Sequence, residues 1–598
     1  MLLTRLVEYA DNGLSLPPPF YARQRVRWVL ELNPDGSPAS DQLTDLADGD
    51  GGRRGGVEHE IPSIVRTVAI APKIGVDTGE YVFGWVTGET KQDRVHAAHT
   101  AFRELNDQWV ARDPDGPACV LQAFFAHGHA DRFRPPDGHV RGELIAVKLK
   151  DGMFLHATES AQRFWLTVAG GRKALGIRGL CLVCGKVDEL LKTVPQQLPT
   201  RLVPQATQRA SLVSINKASH GFALREQLVH TPICVRCGLV GMAALEQLLA
   251  DQWQSAIAGQ DTRLVWWVTG KVEFSLEVLD QPTPHRVAQL VGSAARGRQA
   301  ATLSEADFGA FCAVAIGGNV SRAMVREWID VPLRTIHDNL REWFTDHEIV
   351  DAWSGEPKHV GVNTLAYVSG RWIPGSGRDK GAYAKFGASG ADRPDGVHRA
   401  LLRSALLGKP LPPKLLAHIV RRVRTDGRLG TERAALIRLA LRRRPGLPDR
   451  EVYLPILNPD NHQPAYLAGR IFAVLEDIQL SAAWADGDEP PNVTFADRYF
   501  ARAVTSPAVA LVAGRRDAQA WLKRLKRRRP KTAEKARQRL DELVSQLNQH
   551  GGMPQGVILA DQASFILGYH QQWAAMRAER PRRPGSDQHT PHEEGVSA

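Results

Sequence analysis

No stretch of this sequence reaches the roughly 18 uninterrupted apolar residues that a membrane helix needs, so no span is expected. The opening MLLTRLVEYADNG turns acidic and polar before an apolar signal region could form, which points to the cytoplasm. Only six cysteines occur in 598 residues. A chain of that length buries large cores without covalent staples, so a disulfide framework of the small secreted kind is excluded. Catalytic motifs are as scarce. There is no Gly-rich phosphate loop ending in Lys and Ser or Thr, SLVSIN gives no G-x-S-x-G elbow, and nothing resembles a nuclease carboxylate cluster. IGGNVSR (316–322) has glycines without the rest of a nucleotide fingerprint, and reads as a strand-to-helix turn. HGHAD holds His127, His129 and Asp131, but beside DRFRPPDG it reads as a polar loop. These absences favour a binding protein over an enzyme.

Four of the six cysteines fall in two short stretches, CLVCG (181–185) and CVRCG (234–238). A Cys-x-x-Cys turn aims two thiolates at one ion, and a following glycine frees the backbone for the tight turn. One such turn has a redox pair as its rival. Two supply a closed tetrahedral shell suited to zinc, from Cys181, Cys184, Cys234 and Cys237. A shell of four thiolates leaves no position for water or substrate, so the zinc is structural and ties the ends of a long insertion together. Cys119 and Cys312 lie in apolar surroundings and read as ordinary buried residues.

The net charge is +11 and unevenly spread. Residues 401–450 hold 13 Lys/Arg against 3 Asp/Glu, and residues 501–550 hold 13 against 4, which leaves the remainder of the chain net acidic. Confinement of basic charge to one region is the footprint of a polyanion site. Arg421, Arg422 and Arg424 cluster on one expected helix; Lys523, Arg524, Lys526, Arg527, Arg528 and Arg529 form a denser patch on another. Counterion release along phosphates would make such binding sequence-blind and salt-sensitive.

The fold class is α+β: a mixed α/β N-terminal region with the zinc-clipped insertion, then a C-terminal α-helical bundle. Strands are expected at VRWVLELN (26–33), YVFGWV (81–86), ELIAVKL (143–149), RLVWWV (263–268) and VEFSLEV (272–278), with helices at 242–253 and 335–344. Residues 33–56 and the Pro- and Gln-rich 187–209 read as loops. The domains are 1–180, the insertion 181–238, the rest of the α/β core 239–368, a Gly-rich linker or loop 369–396, the basic bundle 397–579 and a disordered tail 580–598. In the bundle, Leu467, Ile471, Val474, Leu475 and Ile478 share one helix face, as do Ala536, Leu540, Leu543, Val544 and Leu547. Pro530 separates the helix 515–529 from the next, sitting ahead of its N-cap region.

QPAYLAGRIFAVLEDIQ (463–479), NVTFADRYFARAVTSPAVAL (492–511) and QASFILGYHQQ (562–572), in that order, resemble the C-terminal region of one family: the large subunit of the type I-C CRISPR surveillance complex (Cascade). ASLVSINKASHGFAL (210–224), KVEFSLEVLD (271–280), NVSRAMVREWIDVPLRTIHDNLREWF (319–344) and, more faintly, APKIGVDTGEYVFGWV (71–86) extend the likeness over nearly the whole chain. The resemblance implies a non-enzymatic subunit that partners the complex's backbone and guide-handle subunits and its guide RNA. Such a subunit reads the short flanking motif on duplex target DNA, helps open the duplex, holds the displaced strand and helps recruit a helicase–nuclease in antiviral defence. It places flanking-motif inspection in the N-terminal region, where Lys73 is the named candidate for DNA contact. The competing readings are a zinc-stabilised nucleic-acid enzyme, such as a metal-dependent nuclease, and an RNA or protein adaptor. Relatives also yield a small helical subunit by internal translation. No methionine lies between Met324 and Met553, so a product covering the helical bundle needs a Val or Leu start codon.

Overall fold

The structure is a computed structural model describing residues 1–14, 16–47, 55–64, 70–86, 91–194, 196–215, 217–251, 262–269, 276–288, 309–375, 381–446, 450–485, 493–554 and 556–580. The expected tail lies outside these from residue 581 on. The chain is mixed α/β and forms two units. The first comprises Met1–Ala256, Asp261–Thr269 and Cys312–Asp330; the second comprises Ile257–Gln260, Gly270–Phe311 and Val331–Ala598.

In the first unit, the apolar runs at 26–33 and 143–149 become neighbouring strands, Trp28–Leu32 and Leu144–Leu149, paired in parallel with Trp28 opposite Ile145 and Leu32 opposite Leu149. Thr44–Asp45 and Val76–Thr78 flank them antiparallel. ELIAVKL shows little polar alternation because both faces of its strand are covered. Ile145 and Val147 join Trp28, Leu30 and Leu32 in a core with helices Gln92–Arg112, Ala118–Ala126 and Glu159–Lys173, whereas Leu144 and Ala146 pack on the other face with Val26, Ile61 and Val76.

Four expected elements come out differently. YVFGWV is not a strand: Gly79–Val82 is a helical turn, and Gly84 follows at φ +68°. The Trp85 ring lies where a Gly79 side chain would be, and its Nε1 donates to the Phe133 carbonyl at 3.1 Å. IGGNVSR is not a turn into a helix but lies within the extended segment Ala310–Pro332. The stretch 187–209 holds strand Val187–Leu191 and most of strand Ala206–Ser211, the latter paired in parallel with Ala310–Pro332. Of VEFSLEV, residues 272–275 lie outside the described residues, and Glu277–Asp280 is a helical turn.

The second unit is helical around Pro464–Ala485, a helix buried on nearly every side. It crosses helix Leu559–Ala578 at two glycines. A methyl group on Gly469 would overlap the Phe565 carbonyl, and one on Gly568 the Tyr466 carbonyl. Polar side chains pair across this crossing: Tyr466 Oη donates to Gln571 Oε1 at 2.5 Å, Arg470 Nε to Gln572 Oε1 at 3.0 Å, and Glu476 Oε2 accepts from Tyr569 Oη at 2.7 Å and Trp573 Nε1 at 2.9 Å. Two of the sequence blocks that carry the resemblance, 463–479 and 562–572, thus lie in one close helix pair. Gly469→Ala should push this crossing apart and destabilise the second unit by about 1–3 kcal/mol, the usual cost of overpacking. An unchanged melting transition in a thermal scan would contradict the crossing.

Pro530 is the first residue of helix Pro530–Gln549, after Arg529 as N-cap, rather than ahead of the cap. In the Gly-rich 369–396, Trp372–Ile373 pairs with Ala382–Tyr383, and Arg393 donates to the carbonyls of Ala366, Tyr367 and Ala384. Residues 376–380 lie outside the described ones. Among the described residues, no helix is long and apolar enough to cross a membrane.

Candidate metal centre and basic surface

Cys181 and Cys184 sit just after the strand Ala174–Leu180, in the tight turn that leads to Val187–Leu191. Gly185, at φ +70°, closes this knuckle, and its N–H donates to the Cys181 carbonyl at 2.9 Å. The second knuckle is built differently. Cys234 is the N-cap of helix Val235–Ala250, and its Sγ accepts from the N–H of Cys237 at 3.5 Å. Gly238 therefore lies in the helix with no left-handed conformation, so only one of the two glycines serves the turn as expected. The strands and helix bring the pairs together: the Leu191 N–H donates to the Ile233 carbonyl and the Leu182 N–H to the Pro232 carbonyl, both at 2.9 Å.

The four sulfurs lie within 4.8 Å of one another, with Cys184 Sγ 4.0 Å from Cys234 Sγ. Thiolates at about 2.3 Å from a tetrahedral zinc stand roughly 3.8 Å apart, so the spacing fits one ion. No disulfide joins them. Cys181 accepts from the N–H of Cys234 at 3.2 Å and of Val183 at 3.4 Å. Burial alone would raise its pKa, but these and other backbone donors outweigh it and bring the thiol down to about 7. Burial pushes the Cys234 and Cys237 thiols up. A sulfur quartet of three buried members and half-buried Cys184, one of them acidic, could hold a cation, which would displace the remaining protons. The donor set is closed, so the ion would hold structure, with no position left for substrate.

What packs on this centre is not legible in the sequence. Val7 and Leu228 are buried among the cysteines, and Leu3 packs beside them. The helix Leu2–Asp11 lies on Val235–Ala250 at Gly241, with Thr4 Oγ1 donating to the Val183 carbonyl at 3.4 Å. Among the described residues, His127, His129 and Asp131 do not converge as ligands; His129–Arg132 is a short 3-10 turn. Cys312 is buried as expected, but Cys119 is only half-buried, its thiol donating to the Pro114 carbonyl at 2.6 Å.

The two basic runs are used in opposite ways. Lys523, Arg524, Lys526, Arg527, Arg528 and Arg529 are all exposed on the last two turns of helix Pro507–Arg528 and at its C-cap, while Leu522 and Leu525 between them are buried. Lys531 extends this surface. Some cationic charge there is favoured by the helix dipole, but a row this dense repels itself and gains from a polyanion. In the run at 401–450, five of the thirteen basic residues turn inward, while Arg403, Lys409, Lys414, Arg428, Arg444 and Arg450 are exposed. Arg422 is buried, with ion pairs to Asp392 at 2.7 Å and to Asp426. Arg421 is half-exposed and pairs with Asp392 at 2.8 Å, and Arg424 donates to the Ala501 carbonyl at 3.1 Å. Arg433, Arg438, Arg442 and Arg443 are buried as well. In the first unit Lys73 is buried, with Nζ donating to Gln24 Oε1 at 3.3 Å.

A model of the family described as CRISPR-associated protein (Cas_Csd1) matches residues 3–577. The chain belongs to this family. The Cas_Csd1 match runs through both units, and with it the chain is the large subunit of a type I-C CRISPR effector. Among curated proteins, none matches the chain.

Proposed function

We propose that this Cas_Csd1 protein is a non-catalytic subunit that inspects the flanking motif on duplex target DNA, helps open it, holds the displaced strand and helps recruit the helicase–nuclease. It acts in the cytoplasm beside the backbone and guide-handle subunits and the guide RNA. The carrying observation is the exposed basic end of helix Pro507–Arg528, where six cations between Lys523 and Arg529 face solvent. In a CRISPR effector, the polyanion nearest in chemistry to such a surface is the backbone of the displaced strand. Arg421 and Arg424 are secondary contacts, since each is already engaged; Arg422 would keep its neighbours in place from within. Lys73 is the candidate in the first unit, and would have to leave Gln24 to reach a duplex. The ion of the cysteine quartet is zinc, in a structural role.

Charge reversal of Lys523, Arg524, Lys526, Arg527, Arg528 and Arg529 to Glu should weaken single-strand binding by the assembled complex. It should also reduce the slope of log K against log salt by about 4, since each lost contact to a single strand removes about 0.7. Titrations between low and moderate salt read both quantities. An unchanged slope would remove this surface from the DNA path.

A further inference from the structure

The insertion closed by the cysteines carries a loop that the metal centre does not explain. Its ends are pinched where the Gln227 N–H donates to the Ile215 carbonyl at 2.8 Å. Leu228, the next residue, is buried among the cysteines, and its N–H donates to the Lys192 carbonyl. Between these anchors the loop hydrogen-bonds to itself. The N–H groups of His220, Gly221, Leu224 and Arg225 donate to the carbonyls of Lys217, Ala218, Gly221 and Phe222, and Ala218 N–H donates to Glu226 Oε1 at 3.1 Å. Gly221 admits no side chain, because a methyl group there would overlap the Arg225 carbonyl.

This folded loop does the opposite of hiding its apolar residues. Phe222 is 78% exposed and Leu224 72% exposed. Ala223 and Leu224 are both left-handed, at φ +50° and +56°, and Gln227 is at +61°. Left-handed backbone is costly for residues other than glycine and persists where the surroundings impose it, commonly at functional sites. The Phe222 ring is braced edge-on by His230 at 5.2 Å, which leaves ring surface open to solvent. Lys217, His220, Arg225 and His230 are exposed around it. The one carboxylate in the loop, Glu226, is occupied by the Ala218 N–H. A rigid aromatic platform rimmed by cations is the chemistry that receives an unpaired base and its phosphates, since every base offers a π-face.

We propose that residues 217–227 form a wedge at the fork of the opened target: Phe222 stacks on an unpaired nucleobase, Leu224 fills the space behind it, and Lys217 and Arg225 meet the flanking phosphates. The proposal rests on the DNA-opening role above and assigns it a site. An apolar side chain inserted at a base step offsets part of the cost of unstacking.

The test uses the full chain in its assembled complex and two targets labelled with 2-aminopurine beside the flanking motif, one fully paired and one mismatched there so that it is already open. Phe222→Ala should slow opening of the paired target by about tenfold, the effect of losing one base–aromatic stack. It should weaken binding of the pre-opened target by no more than that one stack, and leave the melting temperature unchanged, because Phe222 supports no core. Phe222→Trp should restore opening. If Phe222→Ala opens paired DNA at the wild-type rate, the wedge is elsewhere while the DNA role stands. If the variant instead loses a subunit from the complex, the loop is a protein contact and the proposal fails. A wild-type complex that binds neither target overturns the parent reading and the wedge together.

Discussion

Cys237→Ser should abolish metal retention by this protein and lower the melting temperature of its first unit by about 10 °C. A site filled at a thousand times its dissociation constant adds about 4 kcal/mol to the folded state, and each kcal/mol moves the transition of a unit this size by roughly 2–4 °C. The loss should spread beyond the knuckles. Cys237 lies in the first turn of helix Val235–Ala250, whose same face carries the N-terminal helix one turn on at Gly241, and Leu228 in the same core anchors the 217–227 loop. Metal analysis should find about one zinc per wild-type chain, the occupancy of one closed four-thiolate shell. EDTA should lower the wild-type transition to that of the variant and leave the variant where it is. Cys119→Ser, remote from the quartet in its hydrogen bonding to Pro114, is the matched control. Affinity should also fall as pH falls. Buried Cys234 and Cys237 hold their protons more tightly than an ordinary thiol, and the ion must displace them. A wild-type protein that carries no metal and melts identically with EDTA would show the quartet to be four packed thiols.

The quartet was legible because metal binding is written in residue type and spacing, which survive without knowledge of the fold. Amphipathic helices were legible for a similar reason: Leu540, Leu543 and Leu547 recur at the helical period and are buried together. What failed was context. YVFGWV has strand composition, yet Gly84 in left-handed conformation and the Trp85 ring against Gly79 make a turn of it. IGGNVSR has turn composition, yet pairing with Ala206–Ser211 keeps it extended. The glycines of the helix crossing could not be identified because their role is set by a partner about a hundred residues away. The exposed Phe222 left no signal either: an aromatic in a sequence is expected inside, and only backbone placement shows otherwise.

Charge was the least legible property, because sequence counts it without saying where it points. Arg433→Met separates the two uses of basic residues in the second unit. Arg433 is fully buried. Its Nε donates to the Val368 carbonyl at 2.9 Å, Nη1 to the Arg428 carbonyl at 2.8 Å, and Nη2 to the Gly370 carbonyl and Asp426 Oδ2, both at 2.7 Å. The guanidinium lies 4.7 Å from the centre of the Tyr383 ring. Methionine keeps most of the volume and removes every donor. Three carbonyls then lose a partner at about 1–3 kcal/mol each where they stay dry, while Asp426 keeps Arg422 and the Trp372 N–H. The expected loss is about 3–5 kcal/mol, that of a broken buried ion pair. It should appear as a lowered melting transition of the second unit. Arg433→Lys should recover little of it, since one ammonium cannot reproduce a planar fork that serves three carbonyls and a carboxylate. Below its melting transition, the Arg433→Met complex should bind single strands with the wild-type salt slope, because no exposed cation has been removed. Reversal of 523–529 should do the converse: change the slope and barely move the melting temperature, since those side chains are exposed. If Arg433→Met changed the salt slope and left stability intact, the buried arginines of 401–450 would belong to the DNA surface after all, and their inward wiring would be incidental to the fold.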